Sequence, residues 1–224
     1  MQLIQNVPLF QEYTREELEA IAPLFKERKY SRGSILFLEG DTGEEFFLIR
    51  SGSVKIYRID DTKEIILALF REGDYFGEMS MMQRGLTRSA TAETLENSVI
   101  YTMTRTDFFR FMEKSPRLCL KLLEVTMERL RKANEQIYDL TFLGVKSRVA
   151  KVMLRLADEH GVPSPHGTII PIKLTHQQIA NMVGAVRESV TKVLQELQDE
   201  DTIRIENKMI LILKPNRLRD NFTH

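Results

Sequence analysis

Between Thr175 and Leu197 the chain carries small and apolar residues where two short helices joined by a tight turn require them, and few other arrangements accept that spacing. With His176 as the first position of such a unit, Ile179 is fourth, Ala180 fifth, Val183 eighth, Gly184 ninth, Ala185 tenth, Val190 fifteenth and Val193 eighteenth. Ala180 falls where the helices cross too closely for a large side chain, and Gly184 falls in the turn. Thr175 with Gln178 three residues on has the spacing of a capping box. On the second helix Val190, Val193, Leu194 and Leu197 form one face, leaving Arg187, Glu188, Thr191 and Lys192 on the other. By charge alone that outer face reads as a solvated helix surface; at the amino end of this helix, in this unit, it reads as a surface for the DNA major groove. Arg187 can donate twice to O6 and N7 of guanine, Glu188 can accept from N4 of cytosine, and Lys192 can reach a guanine or a phosphate. Thr175, His176 and Gln177, which open the first helix, join these as DNA-binding candidates. The following TIRIENKMILIL alternates about a polar centre, Glu206 to Lys208, as a two-stranded hairpin would, predicting a winged helix-turn-helix.

The remainder has two other periodicities. From about Val7 to Arg110, glycine-punctuated β-rich runs recur: SILFL at 34–38, EFFLI at 45–49, SVKIYRI at 53–59, EIILALF at 64–70 and SVIYTM at 98–103. Runs this short, at such intervals, predict a rolled β sandwich or barrel. A helix capped by Thr14, with Glu17 at capping-box spacing, precedes it. From Ser115 to Leu143 the period changes, and Cys119, Leu123, Thr126, Leu130, Ala133, Ile137 and Leu140 recur at alternating intervals of four and three. This is a heptad seam, with Leu123, Leu130, Ala133, Ile137 and Leu140 as dimerisation candidates; the alternative is a helix packed only on its own barrel. Gly144 offers a break, SRVAKVMLRLADEHG reads as an amphipathic helix ending at Gly161, and VPSPHG as a turn-rich loop.

Several classes are excluded or disfavoured. The longest apolar run, Ile65 to Phe70, is far short of the roughly 20 residues that span a membrane, and the first residues, MQLIQNVPLF, lack the basic flank and apolar core of a secretory signal. A cytoplasmic location is expected. One cysteine, Cys119, cannot form an internal disulfide or hold an iron–sulfur cluster by itself. It reads as a small seam hydrophobe, with an intersubunit disulfide as the alternative. The histidines, His160, His166, His176 and His224, all lie in the tail, away from any haem in the front domain. No Walker loop, metal-spaced His/Cys cluster or nucleophile motif points to an enzyme. Up to Val145 there are 20 Lys+Arg against 23 Asp+Glu, and beyond it 12 against 9, so the tail carries the excess of positive charge that contact with a polyanion favours.

Two further stretches carry a resemblance. GDTGEEFFLIRSG, Gly40 to Gly52, resembles the signature of cyclic-nucleotide-binding domains, and FGEMSMMQRGLTRSA, Phe76 to Ala90, resembles their phosphate-binding cassette. With the seam helix and winged tail, the whole layout resembles the Crp/Fnr family of bacterial transcription regulators. The resemblance implies an α+β chain: a β-roll or jelly-roll sensor barrel of the cyclic-nucleotide-binding type over 1–114, a dimerisation helix over 115–143, and a winged helix-turn-helix DNA-binding domain over 144–224. It implies that Glu78 binds a ribose 2′-hydroxyl, Arg88 the cyclic phosphate and Ser89 a phosphate oxygen, with Gly77, Met79 and Ser80 completing the cassette and Arg129 and Asn134 contributing from the helix. The alternative is an ion pair of Glu78 with Arg88 in a cassette that takes no ligand, and for Arg129 a solvated charge. Cyclic-AMP-binding members contact adenine through a Thr-Ser pair where this chain has Ala133 and Asn134, so the effector is either a cyclic nucleotide, cAMP or another, or absent. The implied partners are a second copy of the chain, a near-palindromic double-stranded operator with TGTGA-like half-sites, and RNA polymerase. Two alternatives stay open: an effector-independent regulator controlled by its abundance, and a nucleotide sensor whose winged helix meets protein.

Overall fold

The computed structural model describes residues 7–222 except Thr62 and Arg84. The reading of the first six residues, Arg84 of the cassette and His224 therefore lie outside the described residues. The chain forms two compact units, Met1–Arg129 and Leu130–His224, with one helix continuing from the first into the second.

The first unit holds two four-stranded antiparallel sheets. One is ordered β1 (Lys26–Tyr30), β8 (Ser98–Thr104), β3 (Glu45–Ser51), β6 (Tyr75–Phe76); the other β2 (Ile35–Phe37), β7 (Thr91–Thr94), β4 (Ser53–Asp60), β5 (Lys63–Arg71). The run Phe46 to Ile49 is continuously apolar because β3 is covered on both faces there. Phe47 and Ile49 pack with Val54, Phe76, Ala92 and Ile100 between the sheets. Phe46 and Leu48 turn the other way, onto a cluster with Leu18 and Ile21 of α1 (Arg15–Ile21) and with Phe108 and Phe111. The capping box of Thr14 and Glu17 is present at the start of α1.

Several elements depart from the sequence expectations. β1, with sequence KERKY, is an edge strand exposed along most of its length, so it has no apolar alternation to betray it; its charges instead blunt an open edge. β7 reads TAET, whose buried side chains are small or hydroxyl-bearing. The β domain ends earlier than Arg110: Thr104 caps a helix, α3 (Arg105–Lys114), that places Phe108 and Phe111 in the core. A one-turn helix, α2 (Met79–Met82), lies within the cassette. The seam helix, α4, spans Pro116–Phe142, close to the limits its heptads predict.

In the second unit, α5 (Val145–His160) packs on α6 (His176–Val183), α7 (Arg187–Asp199) and the short α8 (Pro215–Asp220). The expected hairpin is β11 (Ile203–Glu206) and β12 (Met209–Ile212). Its two connecting residues, Asn207 and Lys208, both have positive φ, as a type I′ turn requires. VPSPHG is not simply a loop: Val162–Ser164 forms β9, which turns back onto β10 (Gly167–Ile170), giving a four-stranded sheet ordered β11-β12-β10-β9. Its prolines sit on an edge strand and in the turn, where no ladder donor is lost. Among the described residues no helix is long and apolar enough to cross a membrane.

Candidate ligand cassette and nucleic-acid interface

Arg88 is the centre of the cassette. It is 4% exposed, yet forms no ion pair among the described residues. One terminal nitrogen donates to the Gly77 carbonyl at 2.7 Å and to Ser80 Oγ at 2.9 Å; the other donates to the Glu45 carbonyl at 2.8 Å. The Phe37 and Phe47 rings flank the guanidinium, with centroids 4.2 and 5.5 Å away. Burial pushes its pKa down, while Glu45, Glu78, Asp41 and Glu44 nearby push back. Nε is buried without a hydrogen-bond partner. A buried cation hydrogen-bonded only by neutral oxygens, with the nearby carboxylates acting from beyond ion-pair distance, can accept an anion.

Glu78 is likewise buried, but its partner is Arg129 and not Arg88, so the ion pair expected of an unliganded cassette does not form. Arg129 donates to Glu78 Oε1 and to the Tyr75 carbonyl, each at 2.6 Å, and lies over the Phe70 and Tyr75 rings. It is no solvated flank charge. Glu78 Oε2 is buried and accepts no hydrogen bond. Gly77 has φ +87°, and a β-carbon there would come within 2.8 Å of Arg88 and 2.9 Å of Phe47. Gly43 backs onto the same cradle, where a β-carbon would meet Ser80 Oγ at 1.9 Å. An orphaned carboxylate oxygen, an unpaired guanidinium and close backbone approach suit a ligand with hydroxyls and a negative charge.

Of the other cassette candidates, Ser80 is buried against Arg88, whereas Met79 and Ser89 are exposed. In the second unit, Ala133 and Asn134 are exposed on α4. Sequence reasoning missed Phe37, Phe47 and the carbonyls of Glu45 and Tyr75. Carbonyls carry no sequence signal, and the aromatics read as core.

The helix-turn-helix is formed by α6 and α7. Thr175 Oγ1 accepts from the Gln178 backbone and the Gln178 side chain accepts from the Thr175 backbone, completing the capping box. Gly184 is left-handed at φ 62°. Ala180, Val190, Leu194 and Leu197 are fully buried, while Arg187, Glu188, Thr191 and Lys192 are exposed. Arg187, Glu188 and Lys192 form no ion pair among the described residues, so their polar ends are available. Gln177 donates to Asn181, and His176 Nδ1 lies 3.0 Å from Thr191 Oγ1, joining the two helices. On α4 the seam residues Leu123, Leu130, Ile137 and Leu140 are 44–63% exposed.

Residues 27–115 match the cyclic nucleotide-binding domain, and residues 147–220 the Crp-like helix-turn-helix domain. The chain is 35% identical over 206 residues to the CRP-like cAMP-activated global transcriptional regulator of Mycobacterium tuberculosis, covering 90% of this chain and 92% of that protein. It is 31% identical over 203 residues to the cyclic AMP receptor protein of Thermus thermophilus, covering 90% of each. The solved structure of the c-di-GMP responsive global regulator CLP of Xanthomonas campestris has a TM-score of 0.74 at 24% identity, over 87% of this chain and 97% of that one; this likeness bears on the fold. A β-roll with a ligand cassette, joined to a winged helix-turn-helix, defines a DNA-binding transcription regulator rather than an enzyme. The chain belongs to the Crp/Fnr family.

Proposed function

We propose that this regulator acts as a homodimer whose operator binding is set by a cyclic nucleotide held in the cassette. The observation that carries the proposal is the buried Arg88 guanidinium without a counter-ion. In this reading Arg88, with Gly77, Met79, Ser80 and Ser89 around it, receives the phosphate; Glu78 receives a sugar hydroxyl on Oε2; and Arg129 and Asn134 add contacts from the helix. The names of the two relatives make cAMP the first nucleotide to test. The functional division is 1–114 for sensing, 115–143 for dimerisation and 144–224 for DNA.

At the output end, Arg187, Glu188, Thr191 and Lys192 read bases, while Thr175, His176 and Gln177 adjoin the backbone. Two recognition helices related by a dimer axis would meet successive major grooves about 34 Å apart on a near-palindromic site with TGTGA-like half-sites. Dimerisation is through the exposed apolar seam of α4, and RNA polymerase is the partner on the promoter, in the cytoplasm.

Calorimetric titration of the purified protein with cAMP, cGMP and cyclic dinucleotides tests the input. Saturable heat with one of them, lost on Arg88→Gln, is the expected result. A second reading has its own observation: both Arg88 terminal nitrogens already have protein acceptors, as a permanently ligand-free cassette would need. No heat from any nucleotide, with operator binding intact, selects that effector-independent regulator.

A further inference from the structure

The hydrogen bond between His176 and Thr191 crosses from the first helix of the helix-turn-helix to the outer face of the second. Thr191 lies one turn beyond Arg187 and beside Lys192, so it shares the exposed stripe that carries the base-reading groups. His176 is the first residue of α6, fixed by the Thr175 capping box and the burial of Ile179 and Ala180 behind it. Its ring is therefore mounted on a rigid element, and the Thr191 hydroxyl is tied to that mount at 3.0 Å.

We infer that His176 is a positioning residue for base recognition: it holds the Thr191 hydroxyl, so that Thr191 meets the operator with its methyl group and selects thymine. The inference rests on the reading of α7 as the base-reading helix. A free threonine hydroxyl can donate or accept and turns to suit any base edge, so it discriminates weakly. Once the hydroxyl is turned onto the imidazole, rotation about χ1 is restrained, and the direction of the methyl group is fixed with it. Among base edges in the major groove, the thymine C5-methyl is the apolar partner for such a group. Either imidazole tautomer serves, because the hydroxyl can donate to a bare Nδ1 or accept from a protonated one.

The test is a randomised-site selection with sequencing, run on the unsubstituted full-length protein and on His176→Ala, His176→Gln, Thr191→Val and Thr191→Ser, with thermal unfolding of each. Burial of one methyl is worth about fourfold in binding. Thymine at the base pair facing Thr191 should therefore be favoured by about fourfold in the unsubstituted protein and not in His176→Ala. His176→Gln, which restores a hydrogen-bonding group, should recover it. Thr191→Val, which has no hydroxyl to hold, should keep the thymine preference and make His176→Ala silent in the double variant; Thr191→Ser should lose it. A merely structural brace would lower the unfolding temperature of His176→Ala while leaving every base preference unchanged, and that result overturns the inference. So does a His176→Ala effect that persists undiminished with Thr191→Val. Arg187→Ala is run alongside: if it too leaves base preference unchanged, the assignment of α7 fails, and the inference with it. If Arg187→Ala relaxes the site and His176→Ala does not, the inference alone fails.

Discussion

Glu78 divides its carboxylate between two tasks: Oε1 is bound by Arg129, and Oε2 is buried without a partner. Glu78→Gln keeps an acceptor for Arg129 but removes the charge that makes a ribose hydroxyl bond strong. Hydrogen bonds to charged groups are worth about 1.5–3 kcal/mol, so cyclic-nucleotide affinity should fall roughly tenfold to a hundredfold in calorimetry. Unfolding temperature should change little beside that, since Arg129 keeps an amide acceptor at residue 78, the Tyr75 carbonyl and its contacts with the Phe70 and Tyr75 rings. Gly77 gives the complementary result. Its φ of +87° and the close approach of Arg88 and Phe47 leave no room for a methyl group, so Gly77→Ala should destabilise the sensor unit by roughly 1–3 kcal/mol in denaturant unfolding. A stability unchanged by that substitution would show that the cradle is not as tight as drawn. Gly77, Glu78 and Arg88 were legible in the chain because a motif fixes their spacing. The partnership of Glu78 with Arg129 was not, since 51 residues separate them and only the fold brings them together.

Elements announced themselves in proportion to how one-sided their burial is. The helix-turn-helix and the seam helix, the latter imperfect only at Thr126, have helical periods, and both lie close to where those periods put them. β1 and β7 were invisible because an exposed charged edge and a strand of small hydroxyl residues offer no alternation of large apolar groups. α3 was masked by its aromatic richness, with FF and F at Phe108, Phe109 and Phe111 continuing the character of the strand before it. The seam makes its own prediction. Ile137 is 63% exposed in the single chain, so Ile137→Asp costs the isolated fold little. In a dimer it removes two buried side chains, each worth about 1.5–3 kcal/mol, and should weaken self-association at least about a hundredfold in sedimentation equilibrium. An unshifted monomer–dimer equilibrium would mean that the seam covers something else.

At the scale of the whole molecule, the continuity of α4 matters most, because one helix belongs to both compact units and carries Arg129 near the point where they divide. A ligand that alters the hold of Arg129 on Glu78 and Tyr75 therefore acts on the same element that leads to the DNA-binding unit. Under the proposed nucleotide control, the coupling free energy, typically about 1–3 kcal/mol, must be reciprocal: the factor by which nucleotide tightens operator binding equals the factor by which operator tightens nucleotide binding. Fluorescence anisotropy on labelled operator, with and without saturating nucleotide, gives the first factor. Calorimetric titration of nucleotide into free and operator-saturated protein gives the second. Both are expected to lie between about 5 and 150 and to agree. Arg129→Gln should bring both toward one while leaving the operator affinity of the ligand-free protein near its original value. If nucleotide binds with heat but both factors are already one in the unsubstituted protein, the ligand has equal affinity for the two DNA-binding states, and however tightly it is held it cannot be the switch.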